Sequence, residues 1–150
     1  QKVMELEKEK LVELNQIPSA KEILKLEGIG PVCASGLICT LGDGRVFQRC
    51  KEAAAFIGTS PKQHSTGGKE IMVGISKTTG HKILRSALIQ GARSVILKLK
   101  DKKEPSSEKE RWLAQLIERQ GENRAAVALA NKNVRTAWAL LVHNREYIAA

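Results

Sequence analysis

Aromatic residues make up only 3% of this 150-residue chain: two Trp, two Phe and one Tyr. Such scarcity excludes a core of packed rings and argues against a row of stacking platforms for the bases of a single strand. No apolar run approaches the roughly 20 residues of a membrane-spanning helix, and no leader pattern, lipidation signal or strongly amphipathic terminal anchor is visible. A soluble, cytoplasmic protein with no membrane partner is therefore expected. Cys33, Cys39 and Cys50 are odd in number and lack the paired spacing of a metal site, so they read as reduced thiols. Acidic residues are sparse where basic ones gather. From Lys62 to Lys103 there are ten Lys or Arg against Glu70 and Asp101.

The hydrophobic content of 42% is sufficient for one core, and it comes mainly from Leu, Ile, Val and Ala at helical spacing. This predicts a mainly α, compact helical domain. The net charge of +9 and pI of about 9.7 point to a polyanionic partner, most simply nucleic acid. Nearly all the excess lies in the acid-poor stretch just described.

Two motifs handle phosphate in principle. Ile23, Leu26, Gly28-Ile29-Gly30, Pro31, Ala34, Leu37 and Ile38 fit a helix-hairpin-helix. In such an element Gly28 and Gly30 allow a tight turn, and the hairpin amides with the second helix's N-terminus hold a backbone phosphate without reading sequence. Pro31 suits the first turn of that helix. The other motif is Lys62-Gln63-His64-Ser65-Thr66-Gly67-Gly68-Lys69, followed by Gly74-Ile75-Ser76-Lys77 and His81-Lys82-Ile83-Leu84-Arg85. It sets hydroxyls beside Gly67 and Gly68, whose amides can approach a phosphate, with Lys69, Lys77 and Arg85 supplying positive charge. Taken alone, Ser-Thr-Gly-Gly is ordinary turn chemistry.

Along the chain, residues 1–16 read as the end of a longer, possibly coiled-coil helix linking to a preceding domain, and 17–150 as one domain. Ser19 and Glu22 fit a capping box before a helix to about Glu27, and a second helix runs from about Val32 to Thr40. A short Ala-rich helix from Arg49 to Ile57 stops at Gly58. Residues 59–80 form a long loop with a short extended or hairpin piece around Glu70 to Ser76; long loops in compact domains are often functional. The helical remainder, 81–148, carries the stripe Leu84, Leu88, Ala92, Val95 and Leu99, a capping box at Ser107 and Glu110, and a last helix with Val127, Ala130, Val134, Ala137, Trp138 and Leu141 on one side. Trp112 and Trp138 read as core anchors.

The order and spacing of these residues, with Phe56-Ile57-Gly58 before Pro61 and Ala126-Val127-Ala128-Leu129-Ala130-Asn131-Lys132, resemble the C-terminal transposase domain of the insertion-sequence 110 family from Ile17 onward. The resemblance implies a two-part recombinase: an N-terminal ribonuclease-H-like domain with acidic Mg²⁺ ligands, and a C-terminal domain with a serine nucleophile. Only the second part is represented here. It implies that Ser65 attacks a DNA phosphodiester to give a phosphoserine link, with Thr66 as the rival hydroxyl. Lys69, Lys77 and Arg85 would stabilise charge. His64 is the nearest candidate base, although side chains adjacent in sequence usually diverge. No metal site is expected on this chain, whose 16 acidic residues are dispersed. DNA, a guide RNA and further copies of the full protein are the implied partners, in a bacterial or archaeal cytoplasm, and the isolated fragment is expected to bind DNA without recombining it. The alternative is a non-catalytic DNA-backbone or junction-binding helix-hairpin-helix module.

Either reading predicts that duplex-DNA affinity falls with salt at a log–log slope of roughly −0.9 per phosphate neutralised. A titration by fluorescence anisotropy from low to physiological salt checks this; a flat response would count against a nucleic-acid partner.

Overall fold

The computed structural model describes residues 2–66, 68–75 and 80–149, and for 62–66 and 69–73 the backbone only. Seven helices and one hairpin follow in the order α1 (Lys2–Leu14), α2 (Pro18–Leu24), α3 (Pro31–Leu41), α4 (Cys50–Ile57), β1 (Lys62–Thr66), β2 (Lys69–Val73), α5 (Lys82–Lys100), α6 (Glu108–Gln120) and α7 (Glu122–His143). The domain is mainly α, as its composition implies.

Helix α7 is the axis of the body and packs against α2, α3, α4, α5 and α6. Its inner face consists of Ala125, Ala126, Leu129, Ala130, Asn133, Val134, Ala137 and Trp138, recurring at three- and four-residue spacing, and all are buried. Alanines there let neighbouring helices come close, while Leu37, Ile57, Leu88, Ile96 and Leu113 from the other helices fill the space between them. Trp138 donates from Nε1 to the Gly44 carbonyl at 2.9 Å, which satisfies its one polar atom and ties the α3–α4 connection to α7. Trp138 is buried in the core, and Trp112 packs against it from the half-buried margin.

The helix-hairpin-helix spacing is realised in α2 and α3. Ile23, Leu26, Ala34 and Leu37 are buried between them and the body. The first helix begins two residues earlier than the capping box implies, with Pro18 at its first turn and Ile17 as N-cap, and no side-chain cap forms. Glu22 is used elsewhere: its carboxylate pairs with Lys25 at 2.8 Å and accepts from the Tyr147 amide at 2.6 Å, which lowers its pKa. The second capping pattern forms in part. Ser107 Oγ accepts from the Glu110 amide at 3.1 Å, while Glu110 accepts from the Ser106 amide, one residue before the cap, at 2.7 Å. Lys102 and Ser106 bonded to Glu110 hold its carboxyl down at about 2.

The two hairpin glycines have different jobs. Gly28 has φ +83° and lies backbone to backbone against Gly91 in the middle of α5. A Cβ on Gly91 would sit 2.0 Å from the Gly28 carbonyl oxygen, and one on Gly28 would sit 2.9 Å from the Gly91 oxygen. Gly30, with φ −95°, has nothing within 4 Å of where a Cβ would stand. The hairpin is held further by Asn133, which donates from Nδ2 to the Glu27 carbonyl at 2.9 Å, and by Lys109, whose ammonium lies 3.6 Å from the Glu27 carboxylate.

The stripe on α5 is rotated slightly from the sequence expectation. Its buried line is Arg85, Leu88, Ala92, Ile96 and Leu99, with Leu84 and Val95 at the margin. Gly91 sets this rotation, because the glycine contact fixes which side of α5 meets the hairpin.

Gly91→Ala should cost about 1–3 kcal/mol of stability, since the backbones must separate to admit one methyl, whereas Gly30→Ala should be nearly neutral. Urea denaturation of both variants checks the difference; equal stabilities would remove the glycine contact as a determinant of the fold.

Candidate nucleic-acid interface

The loop bearing the serine motif leaves the body at the end of α4 and returns to the same point. Gly58 and Thr59 both donate from their backbone amides to the Ala54 carbonyl at 3.0 Å, and the buried Thr59 hydroxyl adds a bond to it at 3.2 Å. On the return side the His81 amide donates to the Ile57 carbonyl at 3.1 Å. Gly80, with φ +84°, makes this closure possible: a Cβ there would lie 2.5 Å from the Ile57 oxygen. The His81 ring packs on Phe56 at 4.8 Å between centroids, and Phe56 on Phe47 at 5.3 Å. Ser60, at the outgoing end, accepts from Asn131 Nδ2 on α7 at 3.2 Å. Backbone, ring and side-chain contacts thus fix both roots of the loop.

Between these roots the chain forms an antiparallel hairpin, longer and earlier than the piece expected around Glu70 to Ser76. Its register pairs Lys62 with Val73, His64 with Ile71, Ser65 with Glu70 and Thr66 with Lys69. Ser65 and Thr66 therefore occupy the last two paired positions of β1. Gly68 has φ +81° and open space around it; Gly67 and Lys77 lie outside the described residues. Lys69 opens β2 directly after the turn. Arg85, expected to meet phosphate, is buried on the first stretch of α5 at 6% exposure. Gly28 faces α5, leaving Gly30 and the start of α3, where Val32 is 51% exposed, as the open part of the helix-hairpin-helix.

A groove of about 1120 Å³ begins at the root of this hairpin, at Pro61, Gly74 and Ile75, and runs along the outer face of α7 beside α6. Arg124, Lys132 and Arg135 line it, with Asn123, Asn131 and Thr136 between them; no Asp or Glu is among the described residues of its wall. Two of the cations are held in place. The Lys132 ammonium sits 4.4 Å from the centre of the Trp112 ring, and Arg135 donates from Nε to Cys50 Sγ at 3.3 Å. Sequence reasoning missed these three cations because it read α7 for its buried stripe. The signal was present: positions 124, 128, 131, 132 and 135 make a second stripe on the opposite face. Burial pushes the Cys33 thiol pKa up, so this cysteine is neutral core material. Among the described residues no three His, Cys, Asp or Glu come together as metal ligands, and no helix is long and apolar enough to cross a membrane.

Residues 20–110 match the model of the Transposase IS116/IS110/IS902 family. The chain belongs to this family. It is 42% identical over 139 residues to the transposase for insertion sequence element IS1111A of Coxiella burnetii, covering 90% of this chain and 37% of that protein. It is 46% identical over 121 residues to a probable family 20 transposase of Pseudomonas aeruginosa, covering 81% and 35% respectively. A pilin gene-inverting protein of Moraxella bovis is 36% identical over 76 residues, 49% of this chain and 23% of that protein. The chain thus spans little more than a third of the length of the first two transposases. The family match contains most of α2, all of α3, α4, the serine hairpin and α5, and stops before most of α6 and all of α7.

Gly80→Ala should open the root of the hairpin while leaving the helical body folded. Limited proteolysis should then cut within residues 59–80 several-fold faster, with helical circular dichroism unchanged; equal cleavage rates would show that the closure at Ile57 does not hold the loop.

Proposed function

We propose that this chain is the DNA-handling part of a transposase and that Ser65 is its nucleophile. The observation that carries the reading is the placement of Ser65: at the end of a hairpin strand, against a glycine turn, on a loop whose two roots are clamped to the body. A nucleophile must reach a phosphodiester without its base of support shifting, and a hairpin with fixed roots provides this. Membership of a transposase family gives the reaction class.

In the proposed reaction the Ser65 hydroxyl loses its proton and its oxygen attacks phosphorus. An Oγ–P bond forms, the bond from phosphorus to a sugar oxygen breaks, and the sugar leaves as a hydroxyl carrying a proton. One phosphodiester replaces another, so the DNA end stays activated for rejoining. The transition state concentrates negative charge on the phosphoryl oxygens. The Gly67 and Gly68 amides with Lys69 and Lys77 are the proposed stabilisers of that charge. Thr66, one position nearer the turn, is the alternative nucleophile. Gly30 and the start of α3 are the proposed contact to the DNA backbone away from the cleavage point.

Among the described residues no cluster of carboxylates is arranged to hold Mg²⁺: they are dispersed, and Glu22, Glu27 and Glu110 are committed to Lys25, Lys109 and Lys102. In this reading a metal-bearing domain, a guide RNA and further copies of the protein belong to the full-length assembly.

The test is covalent capture. The full-length protein, with its flanking DNA, any associated RNA and Mg²⁺, should give a DNA adduct that peptide mass spectrometry places on Ser65. Ser65→Ala should abolish it and Thr66→Ala should retain it. An adduct on Thr66 moves the nucleophile by one residue; no adduct in an assembly shown to bind DNA leaves the non-catalytic binding module.

A further inference from the structure

We propose that the groove along α7 binds a stretch of single-stranded DNA leading away from the hairpin. The inference rests on the DNA reading above, but uses residues that have no part in the serine motif. Charge comes first. Arg124, Lys132 and Arg135 lie on one face of α7 within a wall free of carboxylates among its described residues, so the groove suits a chain of phosphates. From Arg124 to Arg135 the helix rises roughly 16 Å at 1.5 Å per residue. That is a line of cations suited to several successive phosphates rather than a pocket for one.

The remaining wall decides between single strand and duplex. Pro61, Ile75, Val127, Ala128 and Ala139 add an aliphatic wall to the polar groups, while Lys132 covers the Trp112 ring. A duplex presents phosphates and sugars on its outside, and its bases are stacked within. A single strand also presents apolar base faces, which can lie against aliphatic side chains without an aromatic platform, so it uses both kinds of wall. The volume of about 1120 Å³ exceeds the usual range for a small-molecule pocket, again in favour of a polymer.

Preorganisation comes next. Lys132 rests over Trp112 and Arg135 is bonded to Cys50, so two of the three cations are positioned before any ligand arrives. Pro61 and Gly74 adjoin the terminal hairpin pair Lys62–Val73, so a strand leaving the hairpin meets the groove at its root. Strand exchange at a serine would release such a strand, which favours DNA over RNA as the occupant.

The experiment compares 20-nucleotide single-stranded DNA, the same sequence as duplex DNA, and the same sequence as single-stranded RNA, each fluorescein-labelled, binding the full-length protein across a salt series. In the Arg124→Gln, Lys132→Gln, Arg135→Gln triple variant, single-stranded DNA should bind about tenfold more weakly or worse at physiological salt. The log–log salt slope should fall by about 2, at roughly 0.7 for each single-strand phosphate left without its cation. Duplex affinity should change far less. Each single variant should lower the slope by about 0.7, an additive series that a misfolded protein would not give. Equal weakening on duplex and single strand, or none on either, would overturn the proposal, as would weakening confined to RNA. Ser65→Ala should bind single-stranded DNA as the wild type does, so failure of the serine chemistry would leave this result standing; weaker binding by Ser65→Ala would place the strand on the hairpin and overturn the groove.

Discussion

Everything in this domain depends on how closely other helices can approach the inner face of α7. Ala125, Ala126, Ala130 and Ala137 leave no side chain beyond Cβ on that face, and α2, α3, α4, α5 and α6 all reach it. With so few aromatic rings available, close approach replaces bulk: many short dispersion contacts do what a few large side chains would otherwise do. The Gly28–Gly91 contact extends the same solution to backbone level, and it brings the helix-hairpin-helix into register with α5. The same helix α7 then has an outer face with nothing to bury, and this face carries Arg124, Lys132 and Arg135.

The division of labour between the two faces connects packing to the candidate site. Asn131 at the margin of α7 holds Ser60, and Asn133 two residues on holds the Glu27 carbonyl. One helix therefore fixes the root of the serine hairpin and the turn of the helix-hairpin-helix together. The two elements proposed to meet phosphate, far apart in sequence, are thereby referred to a common frame, and in that reading a strand spanning both would meet a fixed geometry. Asn133 is buried at 1% exposure and makes this bond inside the core, where removing its partner would leave an amide unsatisfied.

Much of the architecture is legible in the residues. Apolar spacing locates α2 to α7 within a few residues, because buried stripes at 3.6-residue period are a strong signal. The glycine pair at 28 and 30 marks a turn, but sequence alone assigns both the same role; only the partner Gly91, distant in the chain, separates a packing glycine from an open one. Ser19 and Glu22 carry a capping pattern that does not form, because Pro18 starts the helix and Tyr147 draws the Glu22 carboxylate away. The hairpin lies several residues from its expected place because 62–73 is polar at one end and apolar at the other, without clean alternation. The groove escapes sequence reading because it is assembled from α6, α7 and the hairpin root, and no local pattern reports a surface made from three segments.

The hairpin also explains why the serine motif need not belong to the core. A nucleophile embedded in packed helices would be rigid, yet DNA is too broad to enter such a site. A nucleophile on an unclamped loop would reach the DNA, yet ordering it would cost entropy at each turnover. Here the entropy of positioning is reduced in advance by the bonds at Ala54, Ile57 and Ser60, while Ser65 sits at the end of β1 remote from those roots. The fold thus separates stability, which resides in α7 and its alanines, from reach, which resides in the hairpin between two clamps. In the proposed reaction, substitutions on the strands therefore alter chemistry without disturbing the alanine packing, whereas substitutions at Gly80 or Asn131 act on the aim of the hairpin through its roots.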